Sequence, residues 1–135
     1  MDHLDPAARS ENMRRVRAKD TGPEIKVRKA LHALGRRFRL HRRDLPGTPD
    51  IVLPGAHLAV FVHGCFWHRH AGCARATMPS TRMEFWQDKF ERTAARDRAQ
   101  LAALRELGWR PAVIWECETR SAEVLERRLI EILGP

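Results

Sequence analysis

Residues 63–73 read HGCFWHRHAGC, which brings three histidines and two cysteines into eleven positions. Imidazole nitrogen and thiolate sulfur are the ligands that zinc prefers, and histidine is also a common general base near neutral pH. A phenylalanine and a tryptophan stand side by side in the same stretch. This segment could therefore bind a metal, take part in catalysis or grip an aromatic ligand, and the rest of the chain must distinguish these roles.

The cysteines favour one structural zinc site. The chain has three, Cys65, Cys73 and Cys117, and this odd number argues against a disulfide framework. One histidine must complete the set, and spacing alone leaves His68 and His70 open, with a mild preference for His70 because it is nearer Cys73. The alternative is that the cysteines pack as small hydrophobic side chains. Three cysteines and one histidine leave no open position, so the ion would hold a loop rather than catalyse.

A carboxylate and an imidazole are expected to meet at one edge of a sheet. Asp50 opens the run DIVL, and His63 ends the apolar run LAVFVH. If the intervening PGAH forms a hairpin turn, Asp50 lies opposite Phe61 and diagonally from His63 on the same face. The alternative is that Asp50 is a polar strand-start residue after Pro49, because proline and aspartate are common in turns.

Glu24 is a second acidic candidate. The segment Thr21-Gly-Pro-Glu24 is typical of a helix capping box, which explains the glutamate without any function. Helical spacing also places Glu24 on the side of Val27 and Leu31, so its carboxylate should point toward the buried edge. Both roles can hold together, and an acid near Asp50 would offer oxygen ligands to a hard cation such as Mg²⁺.

The remaining patterns predict the elements that must position these side chains. Their order is α-α-β-β-β-α-β-α, a small mixed sheet flanked by helices within one domain spanning residues 1–135. They are a short helix capped by Ser10 with Met13 and Val16 as apolar contacts, a helix from the Thr21 cap to Gly35, strands at 38–41, 50–53, 58–63 and 109–116, and helices over 82–107 and 122–133. The predicted apolar stripe of the long helix includes Met83, Trp86, Phe90, Leu101 and Leu104.

The charge of the chain suggests a polyanionic partner. Its formal net charge is +8, its sequence pI is near 10.6, and most of the excess lies in the first third. Such a protein most often binds nucleic acid, although a genome that favours arginine is an alternative. There is no apolar run of about 18 residues and no signal-peptide pattern, so we expect a protein that works inside the cell.

Several segments resemble the very-short-patch-repair (Vsr) family of DNA mismatch endonucleases, in order over nearly the whole chain. They are SENMRRVRAKDTGPE (10–24), TPD (48–50), VHGCFWHRHAGC (62–73), STRMEFWQDKF (80–90) and ELGWRPAVIWEC (106–117). The resemblance implies a restriction-endonuclease-like fold of the PD-(D/E)xK type. Wider nucleases of that fold carry an acid-x-lysine strand, whereas this strand reads Phe61-Val62-His63, which matches the mismatch endonucleases and argues against an ordinary restriction enzyme.

The resemblance implies that the chain nicks DNA 5′ of the T in a T:G mismatch left by deamination of 5-methylcytosine. Hydrolysis would need Mg²⁺ and would initiate very-short-patch repair, with MutL-like proteins and a DNA polymerase as partners. A basic helical arm of residues 1–20 would contact the double-stranded DNA, and the enzyme would act as a monomer in the bacterial cytoplasm, associated with the nucleoid. Two alternative functions compete with this one. The chain could be a DNA-binding module that zinc stabilises and that has no catalytic activity, or a nuclease of the same fold that cuts unmismatched DNA.

The resemblance also assigns roles to individual residues. Asp50 and the backbone carbonyl of Val62 would bind Mg²⁺, and Glu24 would support the metal-bound water. His68 would be the general base, with His63 close to the scissile phosphate. Four residues would hold zinc: Cys65, His70, Cys73 and Cys117. Three rings would enter the DNA stack beside the mismatch: Phe66, Trp67 and Trp86.

Overall fold

A computed structural model of the chain describes residues 21–134. We number its helices and strands in chain order. They are α1 (Gly22–Ala33), β1 (Arg39–Leu40), β2 (Ile51–Leu53), β3 (Leu58–His63), α2 (Met83–Glu106), β4 (Arg110–Trp115) and α3 (Ala122–Leu133). The predicted helix after Ser10, with Met13 and Val16, and the predicted basic arm of residues 1–20 lie outside the described residues.

The strands of the described range form one mixed sheet in the order β1-β2-β3-β4. β2 is antiparallel to both β1 and β3, whereas β3 and β4 are parallel and are connected through α2. The predicted hairpin is confirmed, because Ile51 pairs with Val60 and Leu53 with Leu58 around a 3₁₀ turn at Pro54–Ala56. One further step of this register places Asp50 opposite Phe61.

The sheet is buried on both faces, so the fold has three layers. Alternate residues of β2 and β3 point to opposite sides, which lets a helix pair cover one face and α2 cover the other. The first layer contact joins α1 and α3 to the sheet through Val27, Leu31, Ile51, Leu53, Leu58, Val60, Ile114, Leu125 and Leu129. The second joins α2 to the sheet through Leu45, Val52, Ala59, Phe61 and Leu104.

The helix ends follow local backbone rules. α1 begins after Thr21, whose side chain caps it, and the chain leaves the helix through Gly35 with a positive φ of 73°. α2 begins one residue later than predicted because Arg82 has a left-handed backbone, with φ 55°. The prediction that Met83 belongs to the apolar stripe was wrong, since this first-turn side chain is 49% exposed. No helix within residues 21–134 is long and apolar enough to span a membrane.

Candidate active site and metal centre

Asp50 lies immediately before β2, and its carboxylate contacts the neighbouring strand β3. Oδ2 accepts a hydrogen bond of 2.8 Å from the backbone N–H of Val62. Burial raises the pKa of Asp50 to about 6, against the opposing effect of the Val62 N–H, and the nearby Glu24 carboxylate raises it further. Two carboxylates that approach each other away from water are more favourable with a cation between them. The predicted role of the Val62 carbonyl as a metal ligand stays a prediction.

Glu24 lies in the first turn of α1 and is 5% exposed. The threonine half of the predicted capping box is present, because Thr21 Oγ1 accepts a hydrogen bond from the Glu24 N–H at 3.4 Å. The Glu24 carboxylate Oε2 is 3.1 Å from Arg28 Nη2 and 3.3 Å from His41 Nε2. The sequence patterns did not single out His41, which follows β1 and, with Glu24 and Asp50, offers ligand atoms that all lie within 4.8 Å of one another.

The two histidines expected near the phosphate stack face to face. The rings of His63 and His68 have centroids 3.7 Å apart and planes 8° apart. His68 Nδ1 lies 2.7 Å from Asp97 Oδ2, a contact that sequence reasoning missed. Burial, and to a smaller extent the proximity of His68, lower the pKa of His63 to about 4. The dyad of His68 and Asp97 has the arrangement in which a carboxylate orients an imidazole for proton transfer.

One cleft of about 1010 Å³ contains both groups. Glu24 and Asp50 line it from α1 and β2, and the stacked histidines and Asp97 line it from β3, the following loop and α2. Three cationic side chains of α2 also face this cleft: Lys89, Arg92 and Arg96. The structure therefore brings acids, a carboxylate-held histidine and positive charge together in one space, as phosphate-ester chemistry requires.

The four residues predicted to bind zinc converge at the end of the sheet. Ligand atoms of Cys65, His70, Cys73 and Cys117 all lie within 4.8 Å of one another. His70 Nδ1 is 3.6 Å from Cys65 Sγ and 3.4 Å from Cys117 Sγ. Tetrahedral zinc, with bonds of about 2.0–2.3 Å, holds such atoms about 3.3–3.8 Å apart. The donor set thus fits a zinc ion, and His68, the other histidine that spacing left open, lies in the cleft instead.

Parallel pairing of β3 and β4 explains how this cluster forms. His63 pairs with Trp115 at the ends of the two strands, and Cys65 and Cys117 each lie two residues beyond the end of their own strand. The Trp115 ring also stacks on His70, with centroids 4.2 Å apart and planes 8° apart. Burial and the neighbouring thiols raise the pKa of Cys117 to about 12, and a cation among the thiols would favour its thiolate form.

Comparisons with known proteins decide the family. A model of the DNA mismatch endonuclease Vsr family matches residues 1–75. The chain is 52% identical over 134 residues to the type II nicking enzyme V.XorIIP of Xanthomonas oryzae pv. oryzae, covering 99% of this chain and 98% of that protein. It is 42% identical over 124 residues to the DNA mismatch endonuclease Vsr of Escherichia coli strain K12, covering 92% and 79%.

The chain belongs to the Vsr family of DNA mismatch endonucleases. Members of the Vsr family are DNA-repair nucleases of the restriction-endonuclease-like class, so this protein is a DNA endonuclease, and the cleft is its candidate active site. A third relative, the type II nicking enzyme V.NmeAIP of Neisseria meningitidis, is 35% identical over 128 residues. The alignment covers 95% of this chain and 91% of that protein.

The three rings that the Vsr resemblance predicts to enter DNA form one partly exposed cluster at the cleft. Phe66 and Trp67 have centroids 5.1 Å apart, and Trp67 and Trp86 5.8 Å apart. Phe66 also packs at 5.3 Å against Phe90, which is buried on α2. Phe66 and Trp67 therefore pack against the long helix and still present aromatic surface to the cleft, while the insertion of the three rings into DNA stays a prediction.

Arg69 holds the loop that bears these rings. Its Nη1 donates to the Phe66 carbonyl at 3.3 Å and to the Thr77 carbonyl at 2.9 Å, and its Nη2 donates to the Ala76 carbonyl at 3.0 Å. Its guanidinium carbon lies 4.1 Å from the centroid of the Phe90 ring. A cation thus closes a loop that has few apolar contacts of its own.

Proposed function

We propose that this Vsr-family protein nicks the T strand 5′ of the T in a T:G mismatch, by Mg²⁺-dependent hydrolysis that initiates very-short-patch repair. Family membership supports mismatch endonuclease activity in general. The observation that supports the specific chemistry is the placement of two carboxylates, one buried and one partly buried, and a carboxylate-held histidine in the same cleft. A DNA-binding module without catalysis would have no use for that combination.

The acid half of the cleft would hold the metal. Asp50 and Glu24 supply oxygen atoms, the ligand type that Mg²⁺ prefers, and the Val62 carbonyl is the further ligand that the family resemblance suggests. Bound Mg²⁺ would supply positive charge opposite the scissile phosphate. The Val62 N–H fixes the direction of the Asp50 carboxylate, so this side chain is already oriented before an ion binds.

His68 is the proposed general base. The contact of 2.7 Å between its Nδ1 and Asp97 favours the tautomer with the proton on Nδ1, which leaves Nε2 as the atom that accepts a proton from the attacking water. His63, stacked on His68, would contact the phosphate oxygen from the floor of the cleft.

Mismatch recognition would use the aromatic cluster and the cationic wall. Phe66, Trp67 and Trp86 would enter the base stack where a poorly paired step is least costly to open. Side chains of α2 would contact phosphates, and zinc would hold the loop through Cys65, His70, Cys73 and Cys117. The MutL-like and polymerase partners, the monomeric state and the nucleoid location stay predictions.

Two duplexes that differ only in a T:G or C:G pair test the proposal. We expect one nick, 5′ of the T, when Mg²⁺ is present, and no cut in the matched duplex. Asp50→Asn should bind the mismatched duplex without cutting it, whereas His32→Gln, an exposed change on α1, should cut like the wild type. Binding without a nick in any divalent metal would favour the non-catalytic module. Equal cutting of both duplexes would favour a nuclease without mismatch specificity.

A further inference from the structure

The imidazole of His41 lies beside the two carboxylates of the proposed metal site. A cation that binds only oxygen ligands would not need this nitrogen. We propose that His41 is a ligand of this site, so that it combines one nitrogen with the oxygens of Asp50 and Glu24. Such a site binds Mn²⁺ and the later first-row divalent ions more tightly than an all-oxygen site would. The inference rests on the proposed function, because it concerns the metal site of the same cleft.

His41 is positioned by both its backbone and its side chain. Its backbone is left-handed, with φ 47°, a conformation that histidine, asparagine and aspartate adopt more readily than most residues. Its N–H donates to the carbonyl oxygen of Asp50 at 3.1 Å, so the two residues are tied together across β1 and β2. Its Nε2 reaches Glu24 Oε2 at 3.3 Å, and its side chain is only 13% exposed.

The three side chains are close enough to share one ion. Their ligand atoms lie within 4.8 Å of one another. Six-coordinate ions with bonds of about 2.1 Å place neighbouring ligand atoms about 3.0 Å apart and opposite ones about 4.2 Å apart. Small rotations of the Glu24 and His41 side chains therefore suffice to close the set around a single ion.

The nitrogen makes the metal preference testable. Mg²⁺ and Ca²⁺ favour oxygen ligands, whereas imidazole favours transition metals, with affinity rising from Mn²⁺ toward Cu²⁺. The competing explanation is that His41, like Arg28, only neutralises Glu24. A residue that only positions Glu24 would affect every cation alike, whereas a nitrogen ligand would affect Mn²⁺ and leave Ca²⁺ nearly unchanged.

The experiment titrates the full-length, zinc-loaded protein with Mn²⁺ and follows binding by electron paramagnetic resonance, with Ca²⁺ measured by competition. His41→Asn is the main variant, because asparagine tolerates the left-handed backbone. We expect it to weaken Mn²⁺ binding about 10-fold or more and Ca²⁺ binding less than about 2-fold. In pulsed spectra, ¹⁴N coupling to bound Mn²⁺ should be present in the wild type and in the His32→Gln control, and absent in His41→Asn.

Any of three results would overturn the inference: ¹⁴N coupling that persists in His41→Asn, equal weakening of Mn²⁺ and Ca²⁺, or no Mn²⁺ binding by the wild type. Thermal unfolding checks that the variants fold, and His41→Gln is judged by the same criteria if His41→Asn does not. Asp50→Asn and the Mg²⁺-dependent nicking assay separate the two proposals. If Asp50→Asn loses Mn²⁺ while the His41 variants keep it, the role of His41 is wrong and the proposed function stands.

Discussion

The two halves of the cleft are held in place by different forces. The acid half lies on α1 and β2, where Val27, Leu31 and Ile51 are 0%, 1% and 0% exposed. The histidine half depends on residues 64–82, a segment in which Cys65 is the only buried residue. Apolar packing positions the first half, whereas the thiol cluster and Arg69 position the second. Removal of zinc should therefore displace His68 and leave the carboxylates where they are.

The largest expected effect is that of Asp50→Asn on nicking. We expect a loss of about 10⁴-fold, because the variant lacks a charged metal ligand at the scissile phosphate. Without added Mg²⁺ the same variant should unfold a few degrees higher than the wild type, since it no longer holds an ionised carboxylate buried beside Glu24. Labelled-strand nicking and calorimetry measure the two effects. Asp88→Asn on the exposed side of α2 is the control. A lower unfolding temperature for Asp50→Asn would show that the Asp50 carboxylate does not destabilise the metal-free protein.

Cys117→Ser tests whether the two halves are independent. We expect about one zinc ion per wild-type chain and much less in this variant, with nicking about 10³-fold slower, because His68 and the aromatic rings lose their support. Mn²⁺ binding at the acid half should change less than about 2-fold. Elemental analysis, limited proteolysis and spin resonance measure these quantities, and chelation of zinc from the wild type should reproduce the pattern. If Cys117→Ser disordered the loop and also abolished Mn²⁺ binding, the two halves of the cleft would be coupled.

The Asp97→Asn variant tests how far the orientation of His68 depends on its contact with α2 rather than on the zinc site. We expect turnover to fall about 10²-fold, because an amide at this position no longer favours the Nδ1-protonated form of His68. DNA affinity and zinc content should stay unchanged. Single-turnover kinetics and mobility shifts check this, with Asp88→Asn as the same substitution elsewhere on α2. Unchanged turnover would remove Asp97 from the catalytic machinery.

The smallest expected effect is that of Arg69→Met, which keeps an unbranched side chain near Phe90 but removes three hydrogen bonds to loop carbonyls. We expect about 2 kcal/mol less loop stability, a faster release of zinc to a chelator and about 10-fold slower nicking. Arg127→Met on the exposed side of α3 is the control. Zinc release at the wild-type rate would mean that the thiol cluster alone holds the loop.

Local patterns made most of the fold predictable. The two apolar runs on either side of residues 54–57 indicated the hairpin and hence the position of Asp50 opposite Phe61, and the structure has that register. The helical spacing of Glu24 with Val27 and Leu31 indicated its burial, which is also observed. These predictions succeeded because each depends on residues only a few positions apart or joined by a short turn.

Contacts between distant elements could not be read from such patterns. Asp97 on α2 meets His68 in the loop after β3, and Glu24 on α1 meets His41 just after β1, so each contact joins elements that are distant in the sequence. One signal was available for Asp97. It stands seven residues from both Phe90 and Leu104, so it lies on the buried stripe of α2, where an acid without a function is unusual.

The parallel register of β3 and β4 has a consequence for how this chain tolerates changes in length. Cys117 reaches the metal cluster because His63 and Trp115 end their strands side by side. One residue inserted in Arg110–Trp115 would reverse the facing of the strand residues that follow it, and would shift Cys117, two residues beyond the strand, away from its partners. An extra residue among the exposed positions 80–82, by contrast, would only lengthen a surface connection. The connection that leads to α2 can therefore vary in length, whereas the length of β4 is fixed by the need to bring Cys117 to Cys65, His70 and Cys73.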